Sequence, residues 1–513
     1  MTPSARSHDT RWERLSELIA ERMGLHFPRE RLPDLQRGIA GAAEELGFQD
    51  LAAFIDMLVA TPLSRPQLHV LATHLTVGET YFFRDPQMFE VLASQVLPEL
   101  IRSRRGRRQR LRLWSAACAT GEEAYSLAIL LQQIVPDLAG WHVTILATDI
   151  NARALRTAVA GVYGSWSFRG VPEGVKERYF SLAGDGRHSV RPEVRHLVTF
   201  EHLNLVEDVY PSLATDTNAM DVIVCRNVLM YFTAAQIHKV VGHLRRALVD
   251  GGWLVVSPGE ASAQWFPQFA TASFPGVLLY QKRDTERHPQ DSGASASLHE
   301  HEPLATPIEI PLPLAPATVV QPAEPPPNES PEMPPPDTHV TAGARAFYEQ
   351  GRYGEAADTL LSLCANDSGA PEAFSLLARA LANQGRLQDA RAWCDRWIAA
   401  NRLDPAAYYL RAVVLLEDGQ ADEARRSLQR AVYLEPDFVL AHFALGTLAR
   451  SSGRHEEAGR HFGNALRPLA RLQPDDVLPE SDGLTAGRLA ETITALTALR
   501  TDDDERRARR RHA

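Results

Sequence analysis

The spacing of apolar positions changes three times along the chain. From about Arg11 to Thr76 they recur at helical intervals: Leu15, Leu18 and Ile19, then Leu32, Leu35 and Ile39, then Leu51, Phe54, Ile55 and Leu58. Pro28 and Pro33 stand where helices start, and Gly47 and Pro62 where they break, so residues 1–80 are expected to form a domain of three or four short helices. Between Arg110 and Gln281 short apolar runs alternate with helical segments. Strands are predicted at Leu111–Ala116, Val143–Thr148, Val222–Cys225 and Trp253–Ser257, with helices after the first three. Such alternation means a mostly parallel sheet covered on both faces, a Rossmann-like α/β domain over residues 81–284. The section from Trp166 to Asn204 breaks the rhythm, and candidate strands at Val194–Leu197 and Val198–Glu201 predict a small β-rich insertion there.

Residues 285–339 are dominated by Pro, Ala, Ser and Glu, with proline triplets at 325–327 and 334–336. Few large apolar side chains are present to offset ordering entropy, so a disordered linker of polyproline character is expected. Beyond it Gly351, Gly385, Gly419 and Gly453 recur every thirty-four residues, each followed five positions later by an alanine: Ala356, Ala390, Ala424 and Ala458. That is the tetratricopeptide period. Glycine permits the turn between paired helices and alanine lets the pair approach, so residues 340–472 should be an all-α array of four repeats, with a C-terminal helix and charged tail over 473–513.

Composition narrows the function. A net charge of −10 argues against broad nucleic-acid binding, which needs a basic face. The arginine run from Arg102 to Arg112 reads as a solvated connection into the next strand, with contact to an acidic partner as the alternative. No stretch approaches the length of a membrane span and the N-terminus lacks the apolar core of a signal peptide, so a cytoplasmic location without membrane insertion is expected. Cys118, Cys225, Cys364 and Cys394 are widely separated, which suggests buried thiols and neither disulfides nor a metal site.

The strand at Leu111–Ala116 runs through CATGEE into a helix, which creates a crevice at the carboxyl edge of the sheet. Gly121 permits close backbone approach there, and the adjacent Glu122 and Glu123 disfavour a phosphate ligand by repulsion. A cationic nucleoside such as S-adenosylmethionine suits them; the structural alternative is two acids that merely complement the helix dipole. The second strand ends at Asp149, placed to accept hydrogen bonds from ribose hydroxyls or to cap the following helix. The strand at Val222–Cys225 runs into Arg226, Asn227 and Val228, which brings the Asn227 amide to the same edge, while Tyr231 and Phe232 are expected to pack.

Five motifs in order resemble one family. LTVGETYFFRD (Leu75–Asp85), WSAACATGEEAYSLA (Trp114–Ala128), ATDIN (Ala147–Asn151), WSFRGVP (Trp166–Pro172) and CRNVLMYF (Cys225–Phe232) are similar to motifs of the chemotaxis receptor-glutamate O-methyltransferases of the CheR type, here with tetratricopeptide repeats attached. The closing stretch LVDGGWLVVSPGE (Leu248–Glu260) also matches. The resemblance implies that S-adenosyl-L-methionine is the cofactor. It implies further that Thr80 and Arg84 contact it or shape the transfer site, that Glu123 and Asp149 hold its adenosine part, and that Asn227 and Val228 flank it. Arg84 becomes the catalytic candidate, placed to orient a receptor carboxylate. Gly78 departs from the family, whose members usually carry Asn at that position.

Tyr81, Phe82 and Phe83 are expected to pack between helical domain and sheet, and Arg22, Arg29, Arg31 and Arg37 to offer a positive face to a receptor. The segment Gly184–Arg195 is short for the loop with which some members tether to a receptor tail. The implied activity is methyl esterification of glutamates on the cytoplasmic helical bundle of a chemoreceptor-like protein, with an unidentified protein or peptide on the repeats. The alternative is a cofactor-binding but weakly active or inactive signalling scaffold that acts through those repeats.

Overall fold

The structure, a computed structural model, describes residues 3–106, 109–283, 336–364, 371–494 and 496–497. Most of the proline-rich segment and the terminal residues Asp502–Ala513 lie outside them. Four helices open the chain: α1 (Pro3–Met23), α2 (Leu32–Glu45), α3 (Leu51–Ala60) and α4 (Arg65–Leu75). The first, at 21 residues, is longer than the pattern suggests. Asp50 starts α3 by accepting the amides of Ala52 and Ala53, and Ser64 with Gln67 forms a capping box on α4. These helices do not close a core of their own. Trp12, Leu15, Ile19 and Phe54 are buried in one cluster with Trp114, Leu146 and Ile223 of the sheet.

Next come α5 (Pro86–Val91) and α6 (Leu97–Arg104), joined through a wider turn at Leu92–Val96, then β1 (Arg110–Ala116), α7 (Glu122–Ile134), β2 (His142–Asp149) and α8 (Ala152–Ala160). They are followed by β3 (Val162–Tyr163), α9 (Glu173–Tyr179), β4 (Phe180–Leu182), β5 (His188–Val190), α10 (Pro192–Arg195) and β6 (Val198–His202). The domain ends with β7 (Met220–Cys225), α11 (Ala234–Ala247), β8 (Leu248–Val255), β9 (Ala270–Phe274) and β10 (Val277–Gln281). The main sheet has the order β6-β2-β1-β7-β8-β10-β9. Its first five strands are parallel, and β10 is antiparallel to both neighbours.

Successive side chains point to opposite faces of the sheet. Trp114 and Ala116 enter the cluster shared with the N-terminal helices, while Leu111 and Leu113 enter the one built with α5, α6 and α7.

The insertion differs from expectation. Its three-stranded sheet, ordered β3-β5-β4, lies within residues 162–190. The segment expected as a strand at Val194–Leu197 is instead the end of α10 and a turn, because Pro192 sits at a helix start and Val194 is buried. The strand at Val198 pairs with β2 as an edge of the main sheet.

Eight helices then form four pairs: α12 (Pro336–Glu349) with α13 (Tyr353–Cys364), α14 (Pro371–Asn383) with α15 (Leu387–Ala400), α16 (Pro405–Glu417) with α17 (Ala421–Leu434), and α18 (Val439–Ser451) with α19 (His455–Leu469). Gly351, Gly385, Gly419 and Gly453 have φ of 74°, 71°, 76° and 72°, left-handed values that suit glycine at each turn. Ala356, Ala390 and Ala424 are fully buried and Ala458 nearly so.

The repeats pack against the α/β domain, which corrects the reading of the arginine run. Arg110 lies 3.4 Å from Glu417 of α16, Arg112 lies 2.7 Å from Asp216, and Arg104 pairs with Asp221. Arg112 is 1% exposed, so it is not solvated; its partners come from distant sequence that a local charge pattern cannot reveal. Glu417, which also accepts from Asn218 at 2.9 Å, is a buried acid whose carboxyl is pushed up by burial and pulled back by Arg112 and Arg110. Glu417→Ala is expected to cost about 3 kcal/mol or more, because it strands buried guanidinium charge. The check is a lowered first thermal transition in calorimetry, and an unchanged transition would show the contact to be inessential.

Candidate functional site

From β1 the chain winds outward to β2 and β6 on one side, then returns to β7 and β8 on the other. Loops leaving β1 and β7 therefore diverge and open a crevice at their carboxyl ends. The β1–α7 loop is held in unusual backbone, with Ala117, Ala119 and Gly121 at φ of 64°, 49° and 92°. The Cys118 amide anchors it by donating to Thr148 O at 2.9 Å. At Gly121 a Cβ would come within 2.7 Å of Ala158 and 3.1 Å of Phe200, so glycine there serves the turn and the approach of α8.

Asp149 ends β2 and is 8% exposed. One carboxylate oxygen accepts the Ala119 amide at 2.8 Å and the other the Asn151 amide at 2.8 Å. Each oxygen keeps a lone pair for a further donor. Asn151, not Asp149, caps α8, accepting from Arg153 and Ala154, so the capping alternative for Asp149 falls away. Burial pushes the Asp149 carboxyl above its ordinary value, against the pull of the Asn151, Ala119 and Ile150 amides.

The two glutamates that open α7 are distinguished by their partners. Glu122 is buried and accepts from Thr120 at 2.7 Å and Ser167 at 2.9 Å. Glu123 accepts from Ser115 at 2.7 Å, lies 3.6 Å from Arg226, and keeps 14% of its side chain exposed. Burial raises its carboxyl, and Arg226, the Ser115 hydroxyl and Arg84 oppose the rise.

After β7, Asn227 sits at φ 58°. Its amide donates to Glu260 at 2.8 Å, as do those of Val228 at 2.7 Å and Met230 at 3.3 Å. Thr80 and Arg84 stand on the loop between α4 and α5. Arg226 holds the end of that loop by donating to Arg84 O and Asp85, each at 3.0 Å, and Asn151 holds its start by donating to Thr76 at 2.9 Å.

Asp149, Asn227 and Val228 line one pocket with Ala117, Ala119 and Ile150. Thr80, Arg84, Gly121 and Glu123 are not among the residues that line this pocket; they stand in the loops and helix turn just described. The other wall is the connection after α1, from Met23 to Phe27, where the His26 amide donates to Tyr231 O at 2.6 Å. Gly24, at φ 77°, sits so close that a Cβ would meet Val206 at 2.7 Å. Leu203, Asn204 and Leu205 complete the wall, and Arg488, from a helix beginning at residue 486, braces it by donating to His202 O at 2.7 Å and pairing with Glu207.

Sequence reasoning did not single out Asn204, Arg226, Glu260 or Arg488 as site residues. Glu260 stood at the end of a recognised stretch and Arg226 within another, whereas nothing local marks Asn204 or Arg488. Apolar walls with acids at the strand ends fit an adenosyl group carrying positive charge, and the same acids repel phosphate.

Residues 78–273 match the family model of the CheR methyltransferase, SAM binding domain, and residues 341–408 and 409–476 match tetratricopeptide repeats. The chain is 40% identical over 191 residues to chemotaxis protein methyltransferase 1 of Pseudomonas aeruginosa, covering 36% of this chain and 67% of that one. With chemotaxis protein methyltransferase 1 of Vibrio cholerae it shares 35% over 238 residues, 45% of this chain and 83% of that one.

The chain belongs to the CheR methyltransferase family. It is a methyltransferase with S-adenosylmethionine as cofactor, followed by tetratricopeptide repeats. Both parts are matched together in the probable biofilm formation methyltransferase WspC of Pseudomonas aeruginosa, 28% identical over 461 residues, 89% of this chain and 98% of that one.

Within this CheR chain two further expectations change. Arg29, Arg31 and Arg37 pair with Glu13, Asp34 and Asp34, which reduces the positive face expected of the N-terminal helices. Phe82 packs into the insertion instead of the helical domain, with ring centroids 5.0 Å from Tyr163 and Phe168 and 4.8 Å from Phe180. The region Gly184–Arg195 holds a tight turn closed by Ala183 N donating to Arg187 O at 2.7 Å. Among the described residues no helix is long and apolar enough to cross a membrane.

Proposed function

We propose that this chain esterifies glutamate side chains on the helical bundle of a chemoreceptor-like protein, with its repeats binding a second protein. The observation that carries the reading is the loop bearing Arg84, held by Arg226, which also lies 3.6 Å from Glu123 and directly precedes Asn227. Asp149, Glu123, Asn227 and Val228 would hold S-adenosylmethionine, with Thr80 and Arg84 at its reactive side. When bound it supplies a methyl group on a cationic sulfur that leaves as a neutral thioether.

A glutamate carboxylate is ionised at neutral pH, so the chain needs no strong base; it must orient the oxygen and exclude water. Arg84 donates one N–H to Glu79 O at 2.7 Å, and its planar fork suits bidentate contact to a carboxylate. Arg84→Ala is expected to lower turnover about 100-fold while S-adenosylhomocysteine affinity stays within about threefold, the signature of lost alignment. Unchanged turnover in a labelled-methyl assay would remove Arg84 from the reaction. The function itself is tested with labelled S-adenosylmethionine and candidate receptor cytoplasmic domains: the label should be released by alkali as an ester is, and alkali-stable label would exclude glutamate.

Gly78 allows a test by gain. A Cβ there meets nothing within 4 Å, so Gly78→Asn places an amide in open space beside the crevice. One added hydrogen bond of about 1 kcal/mol predicts roughly fivefold tighter S-adenosylhomocysteine binding by calorimetry. Unchanged binding would mean that this loop does not reach the cofactor.

A further inference from the structure

The helix that begins at residue 486 has two faces with different attachments. Ala486, Leu489, Ile493 and Leu496 recur at helical spacing and are buried in one cluster with Leu377, Leu410 and Leu445 of the repeats. Arg488 and Glu491, with Thr485 just ahead of the helix, recur every third position and reach the other way. Arg488, 7% exposed, donates to His202 O at 2.7 Å and pairs with Glu207. Arg65, at the start of α4, donates to Glu491 at 3.0 Å and to Thr485 at 2.9 Å.

These contacts fall on both sides of a seam in the candidate pocket. On one side α4 ends at Leu75, and Leu75, Thr76 and Val77 line the pocket; on the other β6 ends at His202, and Leu203, Asn204 and Leu205 line it. The rings of His69 and His202 meet across the seam with centroids 4.8 Å apart. The Asn204 side-chain nitrogen donates to Glu207 at 3.3 Å and to Arg22 O at 2.8 Å, so Arg488 reaches the lining through Glu207 as well as through the backbone of His202.

We infer that the C-terminal helix staples this seam, and that Arg488 is a positioning residue for S-adenosylmethionine binding. The inference rests on the assignment of the cofactor to this pocket. A wall binds its ligand only in the arrangement that fits, so loosening it lowers affinity by the fraction of time that arrangement is formed. The planar fork of Arg488 fixes the carbonyl just before Leu203 and Asn204 while it pairs with Glu207. Because the opposite face of the helix is anchored in the repeats, the cofactor site is complete only with the C-terminal part of the chain docked.

Calorimetry of the full chain with S-adenosylhomocysteine tests this. Arg488→Gln should raise the dissociation constant about tenfold at unchanged stoichiometry, as for a wall formed about a tenth of the time. Arg65→Gln, on the more exposed arm, should raise it about threefold, and Arg488→Lys, which keeps the charge but not the fork, should fall between wild type and Arg488→Gln. A residue that merely supports folding would instead lower the stoichiometry and leave the constant unchanged. Linkage is reciprocal, so S-adenosylhomocysteine should slow amide hydrogen exchange in residues 486–494 of the wild-type chain, a measurement that stands even if Arg488→Gln does not fold.

Constants within about twofold of wild type for both Arg488→Gln and Arg65→Gln, or exchange in that helix indifferent to the ligand, would overturn the staple. Asp149→Asn is the control. If it loses affinity and the two arginine variants do not, the staple falls and the pocket stands. If none of the three loses affinity, the pocket assignment falls and the staple with it.

Discussion

Asp149→Asn is expected to weaken S-adenosylhomocysteine binding by about 2–3 kcal/mol, roughly 30- to 150-fold, while leaving the fold intact. The carboxylate uses one oxygen on the Ala119 amide and the other on the Asn151 amide, and it keeps the lone pairs that ribose hydroxyls require. Asparagine has one acceptor oxygen and one donor nitrogen, so one of those amides meets a donor. The Ala119 side is the sensitive one, because that residue holds φ 49° in the loop that walls the pocket.

Stability should change little, and the sign follows from the pKa. Burial holds the folded-state value above the unfolded 3.8, so as pH rises between the two the unfolded chain releases its proton first, and folding stability falls. At neutral pH the charge therefore opposes folding, and a neutral amide partly relieves that cost. Calorimetry for binding and circular dichroism for folding separate the effects. Affinity within threefold of wild type would take Asp149 out of the cofactor site.

What the sequence could and could not show follows from where each residue's partners lie. Strands β1, β2 and β7 and the repeat glycines are written locally, as apolar runs or as a fixed spacing, and the crevice acids follow because they terminate those runs. The edge strand β6 was misassigned because its pattern, Val-Thr-Phe-Glu-His, resembles any half-exposed strand; only pairing with Ile145 through Asp149 makes it part of the main sheet. Arg112 reads as surface until Asp216 and Glu417 arrive from 104 and 305 residues away. Arg488 is the extreme case: a residue beyond the repeats that braces a wall of the candidate pocket. Charge partners across domains have no periodicity, so a single sequence cannot reveal them.

Glu260 presents the complementary case to Asp149, a residue that shapes the site without an assigned contact to the cofactor. Its Oε2 accepts the amides of Asn227 at 2.8 Å and Ser257 at 3.1 Å, and its Oε1 those of Val228 at 2.7 Å and Met230 at 3.3 Å. Four backbone donors converge on one buried carboxylate, and they hold Asn227 at φ 58°. Glu260→Gln turns one oxygen into a donor facing two amides. Hydrogen bonds to a charged group contribute about 1.5–3 kcal/mol each, so a loss of about 3 kcal/mol or more is expected, read as a fall of roughly 6–12 °C in the thermal transition of the α/β domain.

Methyl transfer should fall with it, because the turn that carries Asn227 and Val228 is no longer fixed. Asn227→Gly separates the two roles. Glycine adopts the same φ without strain, so stability should hold or rise by up to about 1 kcal/mol while cofactor affinity falls for want of the amide. If Glu260→Gln instead retained its melting temperature and lost only activity, the carboxylate would belong to the reacting groups and not to their support.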